Sequence, residues 1–152
     1  MEQNRSKRTL VERVRAFDRF YMPSMHLLGS HYLGLEYSVP EARIFFEIHE
    51  HEGCTAQEIS RAMQLDKSYL SRILSKHIRD GYIRREPSPE DGRAFRLYLT
   101  KRGEQRAEDF IALSNKEIRD ILGNLTPDEE QRLTEAMDTI TVILEKGRIQ
   151  RK

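Results

Sequence analysis

Asp66-Lys67-Ser68-Tyr69-Leu70-Ser71-Arg72-Ile73-Leu74 and, downstream, Asp91-Gly92-Arg93 are the most informative stretches of the chain. Asp66 is an N-cap residue and Gly81 a C-terminal stop, so the first stretch opens a helix running from about Lys67 to Asp80. At about 100° per residue, Leu70, Ile73, Leu74, His77 and Ile78 fall on one face of it, and Ser68, Arg72, Ser75, Lys76 and Arg79 on the other. One side suits docking on a domain; the other presents hydroxyls and cations. Immediately upstream, Thr55-Ala56-Gln57-Glu58 is a capping box for a shorter helix ending near Met63. Two short helices joined by such a tight turn have helix-turn-helix spacing.

Beyond Gly81, Tyr82 to Glu86 and Ala94 to Leu99 read as strands, with Phe95, Leu97 and Leu99 alternating with Arg96 and Tyr98. Pro87-Ser88-Pro89-Glu90-Asp91-Gly92 between them consists of turn formers, so the hairpin projects. A helix-turn-helix followed by a basic projecting hairpin predicts a winged helix-turn-helix and, with it, binding to double-stranded DNA. Hydroxyls bond phosphates or base edges, and arginine takes guanine O6 and N7 bidentately. The candidate contacts are Lys67, Ser68, Ser71, Arg72, Ser75 and Lys76 on the recognition helix. On the wing, Arg93 is the minor-groove probe, Asp91 braces it or an arginine of the recognition helix, and Arg84, Arg85 and Arg96 are further phosphate contacts. The alternative is a winged-helix module for protein interaction, whose basic face meets an acidic partner without specific DNA binding.

The flanks are helical. Leu10, Val11, Val14, Phe17, Phe20, Tyr21, Met25 and Leu28 recur at helical spacing from Leu10 to about Leu33, with Pro23 kinking or splitting the helix and Gly34 as a stop. Ser38-Val39-Pro40-Glu41 is a capping box for a helix ending before Gly53. Thr100 caps a long helix closed by Gly123, and Thr126-Pro127-Asp128-Glu129 opens the last one, striped by Leu133, Met137, Ile140 and Leu144. The fold class is therefore mainly α with a small β-hairpin wing (α+β).

Net charge is only +1, so the distribution carries the information. Residues 61–99 hold nine Lys/Arg against five Asp/Glu, whereas residues 31–60 hold one against six. Such segregation marks polyanion binding by one part of the molecule. The single cysteine permits no internal disulfide, the N-terminal MEQNRSKRTLVERVR lacks the apolar core of a signal peptide, and no apolar run approaches a membrane span. The expectation is a cytoplasmic protein that does not enter a membrane. No nucleophile–base pair, Gly-rich phosphate loop or metal motif is present, which argues against an enzyme and for no cofactor.

The recognition-helix motif Asp66 to Leu74, the following Asp80-Gly81-Tyr82-Ile83, the wing Asp91-Gly92-Arg93 and the closing Leu97-Tyr98-Leu99-Thr100 together resemble the MarR family of bacterial transcriptional regulators. The resemblance covers nearly the whole chain. It implies one chain, 1–152, in which residues 1–34 and 100–152 supply dimerisation helices and 38–99 form the winged DNA-binding core. It also implies a homodimer on a palindromic operator, a repressor or an activator, often relieved by a small molecule. By motif position, Ser68, Ser71 and Arg72 correspond to major-groove contacts and Arg93 to the wing arginine. His77 departs from the family, which usually has an apolar residue there, and Ile78 stands where a polar one is common.

For a small organic effector, Phe17, Phe20, Tyr21, His26, Tyr32, Phe45 and Phe46 are the candidate pocket wall between the flanking helices and the core. His49, His51 and Cys54 are rich in donor atoms, but His49 and His51 are two apart near a helix end and point in different directions. No metal site is expected. Cys54 has acidic neighbours, which oppose a reactive thiolate.

Overall fold

The computed structural model describes residues 8–28 and 32–149. Its elements are α1 (Leu10–Ser24), a short 3₁₀ turn (Tyr32–Gly34), α2 (Val39–Glu50), α3 (Ala56–Met63), α4 (Lys67–Arg79), β1 (Ile83–Pro87), β2 (Phe95–Leu99), α5 (Lys101–Leu122) and α6 (Pro127–Ile149). The chain divides into two compact units, one ending at Ile118 and the other beginning at Arg119.

Local sequence chemistry sets most of the boundaries. Thr9, Thr55 and Thr126 each head a reciprocal capping box, with Glu12, Glu58 and Glu129 reaching back to the cap. Between α3 and α4 the chain turns at Gln64, held in the left-handed region at φ 51°. A side chain there costs on the order of 1 kcal/mol, and the Ser60 hydroxyl helps hold the turn by donating to the Leu65 carbonyl at 2.8 Å.

Three expectations need correction. The helix predicted from Leu10 to about Leu33 ends at Ser24, one residue past Pro23. A proline ring has no N–H for the ladder, and the chain leaves the helix through His26 at φ 52°. Residues 29–31 lie outside the described residues. The hairpin pairs Ile83 with Leu99 through to Pro87 with Phe95, so Pro87, expected in the turn, belongs to β1, while Tyr82 and Ala94 do not belong to the strands. At α2, Ser38 accepts the Glu41 N–H as a cap should, but Glu41 does not close the box; its carboxylate is turned to α4.

The core of the first unit joins Ile44, Phe45 and Ile48 of α2, Ile59 of α3, Leu70, Ile73 and Leu74 of α4, and Ile83, Leu97 and Leu99 of the hairpin. Ala107 and Phe110 of α5 complete it, so α5, expected outside the winged core, helps to build it. Burying each large side chain is worth roughly 1.5–3 kcal/mol. The free edge of β2 is covered by the segment before α3: Gly53 donates to the Leu97 carbonyl at 2.9 Å, Leu97 donates to the Cys54 carbonyl at 2.8 Å, and Thr55 bridges Arg96. The wing is thereby tied to the start of α3 as well as to α4. In the second unit, α6 buries none of its residues within the chain.

Candidate nucleic-acid interface

The docking face of α4 is as expected from its spacing. Leu70, Ile73, Leu74 and His77 are buried, Ile78 is half-buried, and Lys67, Ser68, Ser71, Arg72, Ser75, Lys76 and Arg79 are exposed. The Asp66 carboxylate takes the Tyr69 N–H at 3.0 Å, so this helix start already holds an anion on one of its donors.

Between α4 and the wing runs an open groove of about 500 Å³. Lys67, Ser71 and Ser75, successive at i, i+4 and i+8, form its α4 wall, and Arg85 and Arg93 come from the hairpin. Leu70, Leu74, Ile78 and Leu97 form its apolar floor. Ser68 and Arg72 lie on the next stripe of α4, exposed but not on the groove wall. Lys76 is exposed but leans towards α2, with Nζ 3.4 Å from Glu41 Oε2 and 5.8 Å from the centre of the Tyr37 ring.

The wing arginines divide by strand alternation. Arg85 lies over the Phe95 ring at 4.6 Å on the face turned to the groove. Arg84 stands on the opposite face, 4.3 Å over Tyr98 and ion-paired with Glu86, and Arg96 is 3.3 Å from Glu90. Both lie off the groove. Asp91 does not brace a guanidinium among the described residues; its carboxylate accepts the backbone N–H of Arg93 at 3.0 Å. The Asp91 carbonyl takes the Ala94 N–H at 3.0 Å, so this aspartate shapes the turn that carries Arg93.

The candidate effector residues are not gathered into one wall. Phe45 is 0% exposed inside the core, whereas its neighbour Phe46 is 45% exposed. Phe17 and Tyr21 stack on each other at 5.3 Å along α1, where Phe20 is 70% exposed. His26 pairs with Glu117, and the Tyr32 hydroxyl lies 3.4 Å from Ser114 Oγ. Aromatic spacing along a helix cannot reveal which rings the fold will separate.

Around Cys54 there is a second, acidic cavity of about 510 Å³, lined also by Glu47, His51, Glu52 and Glu58. Burial, reinforced by the Glu58 charge, pushes the Cys54 thiol up to about 11, which keeps it protonated. His49 is engaged elsewhere, 2.7 Å from Glu104. Among the described residues no group of three or more His, Cys, Asp or Glu is placed to hold a metal.

His77 is buried, as its place on the docking face predicts, but its partner, Glu41 of α2, was not foretold by the sequence. It is 1% exposed, stacked 5.7 Å from Tyr37 and edge-on to Phe45 at 4.9 Å. Its Nε2 lies 3.0 Å from Glu41 Oε2. A carboxylate only accepts, so Nε2 carries the proton and Nδ1 presents a lone pair. That Nδ1 has no hydrogen-bond partner among the described residues. Burial lowers the pKa of His77 below its ordinary 6.5, against the opposing pull of Glu41.

The MarR family model matches residues 33–94, from the turn before α2 to the base of the wing. A regulator from Clostridioides difficile (strain CD3), the HTH-type transcriptional regulator BilQ, is 32% identical over 69 residues, covering 45% of this chain and 47% of that protein. The chain thus spans about half the length of the first curated relatives it matches. A MarR protein from Peptoclostridium difficile superposes with a TM-score of 0.74 at 21% identity, over 96% of this chain and 94% of that one. A mutant MarR from E. coli, complexed with operator DNA, superposes with a TM-score of 0.69 at 21% identity, over 88% and 99%. The two solved structures share the fold, and the match to the MarR family model falls on the helix-turn-helix and the hairpin.

Proposed function

We propose that this chain is a sequence-specific DNA-binding transcriptional regulator, a repressor, acting by binding and not by catalysis. The observation that carries the reading is the shared groove, with Lys67, Ser71 and Ser75 on one side and Arg85 and Arg93 on the other. Cations and hydroxyls from a docked helix and from a projecting hairpin face one space, as needed to engage a single duplex. The E. coli MarR complexed with operator DNA, which has the same fold, supports it.

We further propose that it works as a homodimer. No residue of α1 or of α6 is buried within the chain, and each helix carries large apolar side chains in the open. Leu10 and Phe20 on α1, and Ile143 and Leu144 on α6, are all at least 60% exposed. A second copy supplies the cover that residues 10–24 and 127–149 lack, and a two-fold axis reads a palindrome. No helix among the described residues is long and apolar enough to cross a membrane.

Selection of bound sequences from random duplex DNA tests the reading. The expected product is a palindrome with half-sites about 10 bp apart; equal affinity for every sequence would point instead to a protein-interaction module. On the selected site, Arg93→Ala is expected to weaken binding by roughly 1–3 kcal/mol in a fluorescence-anisotropy titration. Wild-type log affinity should fall linearly with log salt. An unchanged affinity of the Arg93 variant removes the wing from the interface.

A further inference from the structure

The inner side of the recognition helix carries a titratable group that the groove does not use. His77 sits in a cage of Tyr37, Phe45 and Tyr82, with Phe110 packed behind Phe45. It holds α4 to α2 through one polar contact, the 3.0 Å bond to Glu41, and its second nitrogen faces no acceptor or donor among the described residues. In the neutral ring the unpartnered lone pair costs less than an unpartnered charged donor would. A proton added to Nδ1 creates a cationic N–H donor in an apolar cage, where an unmet charged donor is expensive. We propose that His77 is a proton-operated seat for the recognition helix: protonating Nδ1 loosens α4 from α2 and lowers the affinity for DNA. The DNA half of this statement rests on the regulator reading above; the loosening of α4 does not.

The charges around the ring set the balance. Glu41 from α2 favours the proton, as does Asp80 at the end of α4, whereas Lys76 on α4 opposes it. From α5, the Arg106 guanidinium lies 5.1 Å over Tyr37 and 5.0 Å over Tyr82, and Arg102 lies 4.6 Å over Tyr82. Both guanidinium groups therefore lie against rings that enclose His77. Burial is the largest influence, and it favours the neutral ring. The consequence for stability has a definite sign. A histidine whose folded pKa is depressed contributes stability that is complete above its unfolded value and is lost as pH falls through the folded one. Thermal stability should therefore fall on acidification below 6.5, the ordinary value.

The test uses the whole chain, isotopically labelled, titrated by NMR from about pH 8 to about pH 5, the span over which histidine changes charge. The expected result is a His77 imidazole that titrates late, with the backbone amides of residues 70–76 moving at the same inflection. Glu41→Gln, which keeps an acceptor but removes the charge favouring the proton, moves that inflection to lower pH. A His77 that stays neutral throughout, an inflection that α4 does not share, or one indifferent to Glu41→Gln overturns the proposal. In parallel, binding to the selected duplex is measured across the inflection at constant ionic strength. Wild-type affinity should fall, at most about tenfold per pH unit for one proton per site, while His77→Gln gives a flat profile. A His77→Gln slope equal to the wild-type one also overturns it. If no duplex is bound at any pH the regulator reading fails, and the NMR titration decides the seat alone; it decides likewise if His77→Gln does not fold.

Discussion

Replacing Gly103 with alanine is expected to destabilise the fold by about 3 kcal/mol, at the upper end of what overpacking a core costs. A β-carbon at this position would stand 2.0 Å from the Tyr82 carbonyl oxygen, and 3.1 Å from both the Tyr82 carbonyl carbon and the Leu99 β-carbon. The obstacle is backbone, and that backbone is pinned. The Tyr82 carbonyl accepts the Thr100 N–H at 3.0 Å, the Thr100 hydroxyl donates to the Gly81 carbonyl at 2.7 Å, and the same hydroxyl accepts the Gly103 N–H at 3.1 Å. Moving Tyr82 aside breaks the knot that joins the start of α5 to the start of β1. Alanine recovers about 1 kcal/mol of helix propensity relative to glycine, too little to offset the clash. Urea denaturation should give a lower midpoint with an unchanged slope. A variant as stable as the wild type would mean that α5 and β1 can part without cost.

Phe45→Ala should be at least as damaging, at roughly 3–5 kcal/mol, whereas Phe46→Ala should cost far less. Phe45 is fully buried and meets four rings: His77 at 4.9 Å, Phe110 at 5.6 Å, Tyr82 at 6.1 Å and Tyr37 at 6.5 Å. Its edge-on arrangement with each of them adds to the burial. Truncation leaves a cavity between α2, α4, α5 and Tyr82, the residue before β1, and removes one wall of the His77 cage. Phe46 is one residue on, turned outward, and its loss opens no such void. The same denaturation series, run on both variants, separates a core ring from a surface ring. Equal losses would contradict the division.

How much of this was legible beforehand follows the range of the interactions. Thr55 with Glu58, Asp66 with Tyr69 and Thr126 with Glu129 are bonds between near neighbours, so each cap could be read from the spacing. The two faces of α4 followed from its periodicity, and the hairpin from its turn residues. Glu41 shows where that logic stops. Its spacing from Ser38 matched a capping box, yet its carboxylate bonds His77, thirty-six positions away, because a buried imidazole N–H needs an acceptor. Gly103 drew no reading from the sequence, since nothing local announces the carbonyl of Tyr82 beside it. For the candidate groove, spacing told the exposed side of α4 from the buried one but could not say that Lys76 pairs with Glu41 or that Arg84 and Arg96 lie off the groove. Strand alternation separated Arg84 from Arg85 in principle; which of the two faced α4 depended on how the hairpin docks. The aromatic set shows a related limit: adjacent residues such as Phe45 and Phe46 leave a helix in different directions, so spacing alone could not say that one is buried in the core and the other exposed.

The two-sidedness of the wing has one more outcome. On its outer surface, the guanidinium groups of Arg84 and Arg96 sit against Glu86 and Glu90 of the same hairpin, so that surface has no local excess of positive charge to offer a passing polyanion. The hairpin is a blade sharpened along one edge. On the proposed function, such a blade would engage the duplex on which its helix is seated and would have little pull on a neighbouring one, which would discourage the bridging and tangling that a cationic finger charged all round invites.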